Sequence, residues 1–174
     1  MLARLPDLSV LIELGTASGI TSLFLGLAAR ARGIEFHTYD MFDQRAEEVM
    51  RAWLPDMFYH HGDCHNNTEL DAMVSKPNVL LYVDADKLTE VRLFVPKLLP
   101  GSVFFVHDWY RHVLPSQIQP ICQAHGIHML HDDVAAAVRS DLRFFFVAGN
   151  TNSTITLHQS VGSLENMYKK KSSH

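Results

Sequence analysis

The sequence predicts an α/β fold: an open, seven-stranded, mostly parallel sheet with helices on both faces and the last strand pair antiparallel. Three observations carry this. Short apolar runs rich in β-branched and aromatic residues alternate with segments of helical periodicity. The strongest run, residues 78–86 (NVLLYVDAD), is almost continuously apolar, as suits a central parallel strand covered on both faces. The last two runs, IHML from Ile127 and LRFFFVAG from Leu142, have no helical segment between them, which leaves one of them antiparallel.

The elements follow in order. Residues 9–15 (SVLIELG) are a buried strand ending in an acid and a glycine. Residues 18–33 place Ile20, Leu23, Phe24, Leu27 and Ala28 at helical spacing, with Gly33 as the stop. Residues 34–40 (IEFHTYD) give a second strand, residues 43–54 a helix closed by Pro55, and residues 57–63 (MFYHHGD) a third short strand. A short helix over residues 67–75 takes Asn67 or Thr68 as its cap. After the fourth strand a helix is expected over about 88–99, kinked by Pro96 and ended by Pro100-Gly101. SVFFVHD, residues 102–108, is the fifth strand, and a helix around 115–125 precedes the final pair. Residues 1–160 read as one domain and residues 161–174, which end in YKKKSSH, as a polar tail.

Composition narrows the function. A chain of 174 residues, 47% hydrophobic, buries a real core. Its net charge of −4 argues against a dedicated nucleic-acid binder, which carries a basic excess. No apolar run approaches the ~20 residues of a membrane helix, and MLARLPDLSVLIELG lacks the features of an export signal. The two cysteines, Cys64 and Cys122, make no disulfide framework. The expectation is a cytoplasmic protein whose partner is a small-molecule substrate, with neither nucleic acid nor membrane.

In open sheets of this kind ligands bind at the carboxyl ends of the strands. The first five strands each end in or beside a carboxylate: Glu13, Asp40, Asp63, Asp84 with Asp86, and Asp108 next to His107. One such acid is ordinarily a helix cap. Five along one edge point to a ligand that is rich in hydroxyls, cationic, or accompanied by a metal. The first turn, Gly15-Thr16-Ala17-Ser18-Gly19, lacks the second and third glycines of the dinucleotide fingerprint and the lysine of a phosphate loop. It suits a nucleoside ligand without phosphate. The Asp40 carboxylate can accept from both hydroxyls of a ribose, which would set an adenine edge near Asp63. The run His60, His61, Cys64, His65 fits no standard structural zinc spacing.

IELGTASG, TYDMFD, HHGD and LLYVDADKLTEVRLFVPKLLPGSVFFVHDWY together resemble the class I S-adenosylmethionine-dependent methyltransferases, which have a Rossmann-like sheet. Within them the chain is most similar to the macrocin, cephalosporin-hydroxylase-like and catechol O-methyltransferase group. The signature of that group after the fourth strand, D-G-D-x-x-x-E, reads here Asp84-Ala85-Asp86-Lys87-Leu88-Thr89-Glu90, and L-x-P-G-G reads Leu98-Leu99-Pro100-Gly101-Ser102. The resemblance covers about residues 9–112. It implies S-adenosylmethionine as cofactor, held at its methionine end by Glu13 and the turn of Gly15, Thr16 and Gly19, at its ribose by Asp40 and at its adenine by Asp63. It sets Asp84 beside the sulfonium, and Asp84 with Asp108 around Mg²⁺ in metal-dependent members. His107 and Trp109 depart from the metal-dependent pattern, since a hard cation prefers oxygen ligands. Relatives carry helices before the first strand; without them the pocket is either open or closed by a partner subunit in a homo-oligomer.

Methyl transfer to oxygen needs the hydroxyl proton removed or loosened. Three groups are candidates: a metal on Asp84 and Asp108, acting as a Lewis acid; Lys87, at the D-x-x-K spacing of the catechol enzymes, where lysine is the base; and His107, a base suited to neutral pH. Lys87 as a solvated helix-start residue is the plain alternative. Trp109, Tyr110 and Arg111 would border the substrate. A protein that keeps the fold but has lost the chemistry is the competing reading, and a nicotinamide oxidoreductase is disfavoured by Ala17 and the missing glycine.

Overall fold

The structure is a computed structural model and describes residues 8–41, 45–108, 112–130 and 143–147. The elements are β1 (Val10–Leu14), α1 (Ile20–Arg32), β2 (Glu35–Asp40), α2 (Arg45–Trp53), β3 (Phe58–His61), α3 (Thr68–Val74), β4 (Val79–Val83), α4 (Lys87–Phe94), β5 (Val103–Val106), α5 (Pro115–Ala124), β6 (Ile127–Leu130) and β7 (Arg143–Val147). Short 3₁₀ turns cover Cys64–Asn66 and Val95–Lys97.

The sheet order is β3-β2-β1-β4-β5-β7-β6. The first five strands in that order are parallel to one another. β7 enters beside β5 antiparallel to it, and pairs antiparallel with β6. After β1 the chain builds outward to β2 and β3, then returns to place β4 on the other side of β1. Such a reversal opens a crevice at the carboxyl ends of the two central strands.

β1, β4 and β5 are buried along their whole length, which explains their near-continuous apolar sequence. One face of the sheet carries Ile12, Leu14, Leu81 and Phe104 against Leu70 of α3, Phe94 of α4 and Ile118 of α5. The other carries Leu11, Phe36, Leu80 and Phe105 against Leu25 and Ala29 of α1 and Met50 of α2. Truncating a fully buried ring such as Phe104 would cost about 3–5 kcal/mol.

Two local expectations change. The apolar residues that identify α1 are not the ones it buries: Ile20 and Phe24 are 65% and 69% exposed, while Ser22, Leu25, Gly26 and Ala29 face the sheet. Small residues at this spacing let the helix approach closely, and a Cβ on Gly26 would collide with the side chains of Leu54 and Phe36. The helix expected over about 88–99 ends at Phe94 and tightens into the Val95–Lys97 turn. Pro96 has no N–H with which to continue the α-helical ladder. Among the described residues, no helix is long and apolar enough to cross a membrane. Trp109, Tyr110, Arg111 and the 161–174 tail lie outside the described residues.

Candidate functional site

The carboxyl edge is built around β1, with β2 on one side and β4 on the other. Register places Thr38, Glu13 and Tyr82 in one row across the three strands. Two residues further along each chain come Asp40, Gly15 and Asp84, so a residue without a side chain separates the two carboxylates. The edge is stitched by the Gly15 N–H donating to Tyr39 O (2.9 Å) and the Asp84 N–H donating to Leu14 O (2.8 Å). Gly15 has φ +101°, and a Cβ there would stand 2.8 Å from Ala85 N. Both facts demand glycine.

Glu13 lies inside β1 rather than at its end, and is fully buried. Its Oε2 accepts from the Thr38 hydroxyl at 2.7 Å, and the Thr38 oxygen lies 2.6 Å from that of Thr16. With the Thr38 hydrogen directed at Glu13, Thr16 is the donor in the second contact. Glu13 Oε1 and Ser22 Oγ are both buried without a hydrogen-bond partner of good geometry. Burial pushes the Glu13 carboxyl up to about 7; Ser22 and Thr38 oppose the rise, and the charges of Asp84 and Asp40 add to it. The turn itself is held by Gly19, at φ +78°, donating to Thr16 O at 2.8 Å. The Ala17 N–H, at φ +46°, donates to Asp40 Oδ2 at 2.7 Å.

Across Gly15 the arrangement is ionic. Lys87, the first residue of α4, is 6% exposed, so the solvated reading of this lysine does not hold. Its Nζ lies 3.1 Å from Asp84 Oδ1 and 3.2 Å from Asp108 Oδ2, and donates to the Asp84 carbonyl at 3.0 Å. His107 Nδ1 is 3.1 Å from Asp84 Oδ1 and 3.6 Å from Asp108 Oδ1. The Tyr82 hydroxyl donates to Asp84 Oδ2 at 3.2 Å, and His112 Nδ1 is 2.9 Å from Asp108 Oδ2. Desolvation works to raise the Asp108 carboxyl, but the hydrogen bonds from Lys87 and His112 and the charges of Lys87 and His107 outweigh it and hold it low. Asp108 adopts φ +54°, a left-handed conformation that aspartate tolerates better than most residues. Asp84, His107 and Asp108 offer atoms within 4.8 Å of one another, close enough to share a cation, but the Lys87 ammonium already lies between the two carboxylates.

Asp63 is engaged locally. It caps the Cys64–Asn66 turn, with Oδ1 accepting from the His65 N–H at 2.9 Å and Oδ2 from Asn66 Nδ2 at 3.3 Å. Cys64 Sγ faces Glu90 at 3.9 Å, and burial, followed by the Glu90 charge, pushes the thiol up to about 12. Glu90 is fully buried; burial and then Asp86 push its carboxyl up to about 8, against Lys87 and the backbone hydrogen bonds of Asp86 and Ala85. Sequence reasoning missed Thr38, Tyr82 and His112 as site residues. The first two stand two positions before Asp40 and Asp84, on the same strand face, which is a readable period-two signal. Two surface grooves, one around Gly26, Arg30 and Met57 and one around Arg51, Pro55 and Phe58, share no residue with this edge.

A family model described as "Methyltransferase domain" matches residues 12–109, which span the edge from β1 to Asp108. No curated protein matches the chain. Among solved structures it is similar to a CmcI structure with Mg and SAM (19% identity, 79% of this chain and 65% of that one, TM-score 0.55). It is also similar to the Methanococcus jannaschii fibrillarin pre-rRNA processing protein (14%, 84% and 70%, TM-score 0.57). A third likeness is to SAH-bound Podospora anserina methyltransferase PaMTH1 (13%, 81% and 72%, TM-score 0.51). These likenesses show the fold. The chain spans 65–68% of the length of the CmcI structures it matches.

Proposed function

Because this chain belongs to the methyltransferase-domain family, of class I fold, we propose that it transfers a methyl group from S-adenosylmethionine to a hydroxyl of a small molecule or sugar. The observation that carries the reading is the glycine turn between Asp40 and Asp84, free of phosphate signatures and backed by a buried acid. The residues suit the cofactor: Glu13 Oε1 is a buried acceptor without a partner, as a site for a ligand ammonium requires. Asp40 is steadied by Ala17 to receive ribose hydroxyls, and Gly15, Thr16 and Gly19 shape the turn. Asp63 belongs at the adenine side, where its capping bonds fix its position. The cofactor supplies an electrophilic methyl on a sulfonium; the protein supplies position and charge.

His107 is the general base in this reading. With Nδ1–H directed at Asp84 Oδ1, the ring is held in the tautomer that leaves Nε2 basic. Lys87 is engaged elsewhere: its Nζ is held against two carboxylates and a carbonyl rather than turned to a substrate hydroxyl. Magnesium does not fit the residues as they stand: the space between Asp84 and Asp108 is taken by Lys87, and the third donor is an imidazole. The mechanism therefore runs through His107 and Asp84. The His107–Asp84 pairing also weighs against a fold that has merely lost its chemistry.

The test is direct. S-adenosylhomocysteine should raise the melting temperature, since a ligand that binds only the folded state stabilises it, and isotopically labelled methyl should appear on a hydroxyl acceptor from a panel of sugars and phenols. A melting shift with NAD and none with S-adenosylhomocysteine would overturn the assignment.

A further inference from the structure

We infer that the ammonium of Lys87 is the resident cation of the β4–β5 edge, standing where a divalent metal would sit, so that this chain needs no metal there. The inference rests on the methyltransferase reading only for the role of the edge; the geometry stands alone. A lysine ammonium has three N–H donors and no acceptor. Here it has three acceptors in reach: Asp84 Oδ1 at 3.1 Å, Asp84 O at 3.0 Å and Asp108 Oδ2 at 3.2 Å. One contact is a hydrogen bond to a carbonyl and two are ion pairs with carboxylates, so the ammonium is compensated on three sides. At 6% exposure, a buried ammonium persists only when paired in this way.

The protein places these groups at some cost. Asp108 takes up a left-handed backbone, φ +54°, and in that conformation its Oδ2 meets Lys87 and His112 together. α4 begins at Lys87, one turn after Asp84, so the lysine folds back over the carboxylate that precedes it. A divalent ion on the same two carboxylates would meet a like charge fixed at contact distance. To bind, it would have to expel an ammonium whose acceptors are all inside the fold. The third donor, His107, already directs Nδ1 to Asp84 Oδ1. The site thus resembles a two-carboxylate metal centre in outline while carrying its own cation.

The experiment needs no methyl acceptor. The full chain is titrated with Mn²⁺, and bound ion is counted from the electron paramagnetic resonance signal of free Mn²⁺, for the wild type and for Lys87→Met. Wild type should show no stoichiometric site up to about 1 mM, where dedicated oxygen-rich sites are already filled. Lys87→Met, which keeps the apolar stem and removes the charge, should gain one site tighter by on the order of a hundredfold. A wild-type site in the micromolar range, or a variant that binds Mn²⁺ no better than wild type, overturns the inference. Should Lys87→Met not fold by circular dichroism, melting of the wild type decides: equal temperatures in EDTA and in about 5 mM Mn²⁺ support the inference, and a rise with Mn²⁺ overturns it. Failure to bind S-adenosylhomocysteine would count against the methyltransferase reading and leave the Mn²⁺ result untouched.

Discussion

Glu13 and Asp108 are both carboxylates at the same edge of the same sheet, yet they are in opposite electrostatic states. On the β1–β2 side, Glu13 has hydroxyls and other acids for neighbours. Burial dominates, Asp84 and Asp40 reinforce it, and the carboxyl is pushed up to about 7. On the β4–β5 side, Asp108 has Lys87, His112 and His107 for neighbours. Their hydrogen bonds and charges overcome desolvation, and the carboxyl is held low. Burial alone therefore does not decide ionisation; the nearest cation does. Among the described residues, no cation faces Glu13 in the first half, which suits a ligand that brings one. The other half is already neutralised and suits proton handling.

The comparison can be broken most forcefully at His107. If the ionic half does the chemistry, His107→Gln should slow single-turnover methyl transfer by about 10²–10⁴-fold, the usual share of a general base. It should leave S-adenosylhomocysteine affinity within about threefold, because most of the proposed cofactor contacts, Glu13, Asp40 and the Gly15–Gly19 turn, lie in the other half. Equal losses in both would merge the two halves into one site.

Gly15 divides the halves, and its substitution should be the largest purely structural effect. Gly15→Ala combines φ +101° with a 2.8 Å approach to Ala85 N. The expected loss is about 2–3 kcal/mol, read as a fall in melting temperature of roughly 4–12 °C for a chain of this size.

Glu13→Gln should separate stability from binding. The folded carboxyl is raised from 4.5 to about 7, so the folded state keeps its proton longer than the unfolded one. Its contribution is therefore present below pH 4.5 and is lost as pH rises through about 7. An amide mimics the protonated acid. Glu13→Gln should stabilise the protein at pH 8 by about 1–3 kcal/mol, leave it unchanged at pH 4, and weaken S-adenosylhomocysteine binding. A gain of equal size at both pH values would show that the acid is not neutral in the fold.

The smallest effect lies on the flank of the β1–β2 half. His37 Nδ1 and His60 Nε2 share a hydrogen bond at 3.0 Å, His37 stacks on Phe58 and His60 on Tyr39. Burial lowers both imidazoles below 6.5; Glu35 opposes this for His37, and the His37 charge adds to it for His60. The unfolded chain takes up the protons first, so stability is full above about pH 6.5 and declines as pH falls below it. Denaturant melts at pH 7.5 and 5.5 should differ by about 1 kcal/mol, and His37→Phe with His60→Phe should flatten the slope.

Much of this edge was legible beforehand because strand ends are local. Glu13, Asp40, Asp84 and Asp108 each close an apolar run, and parallel strands bring such ends to one side. What stayed hidden depends on register and through-space neighbours. The Thr38–Glu13–Tyr82 row exists only once β2 and β4 flank β1 in a particular alignment. The pairing of Lys87 depends on Asp108, twenty-one residues downstream and just past the end of the adjacent strand. The buried side of α1 was obscured because close packing selected Ser22, Gly26 and Ala29 over its larger apolar residues.

The near contact between Gly15 and Ala85 has a thermodynamic consequence. The glycine turn and the loop carrying Asp84 cannot shift independently when only the space of a hydrogen atom separates them. A ligand that tightens the turn must do so against the Asp84 loop, and an acceptor seated beside Asp84 must do so against the turn. Such coupling is reciprocal: whatever factor methyl donor occupancy adds to acceptor affinity, acceptor occupancy returns to the donor.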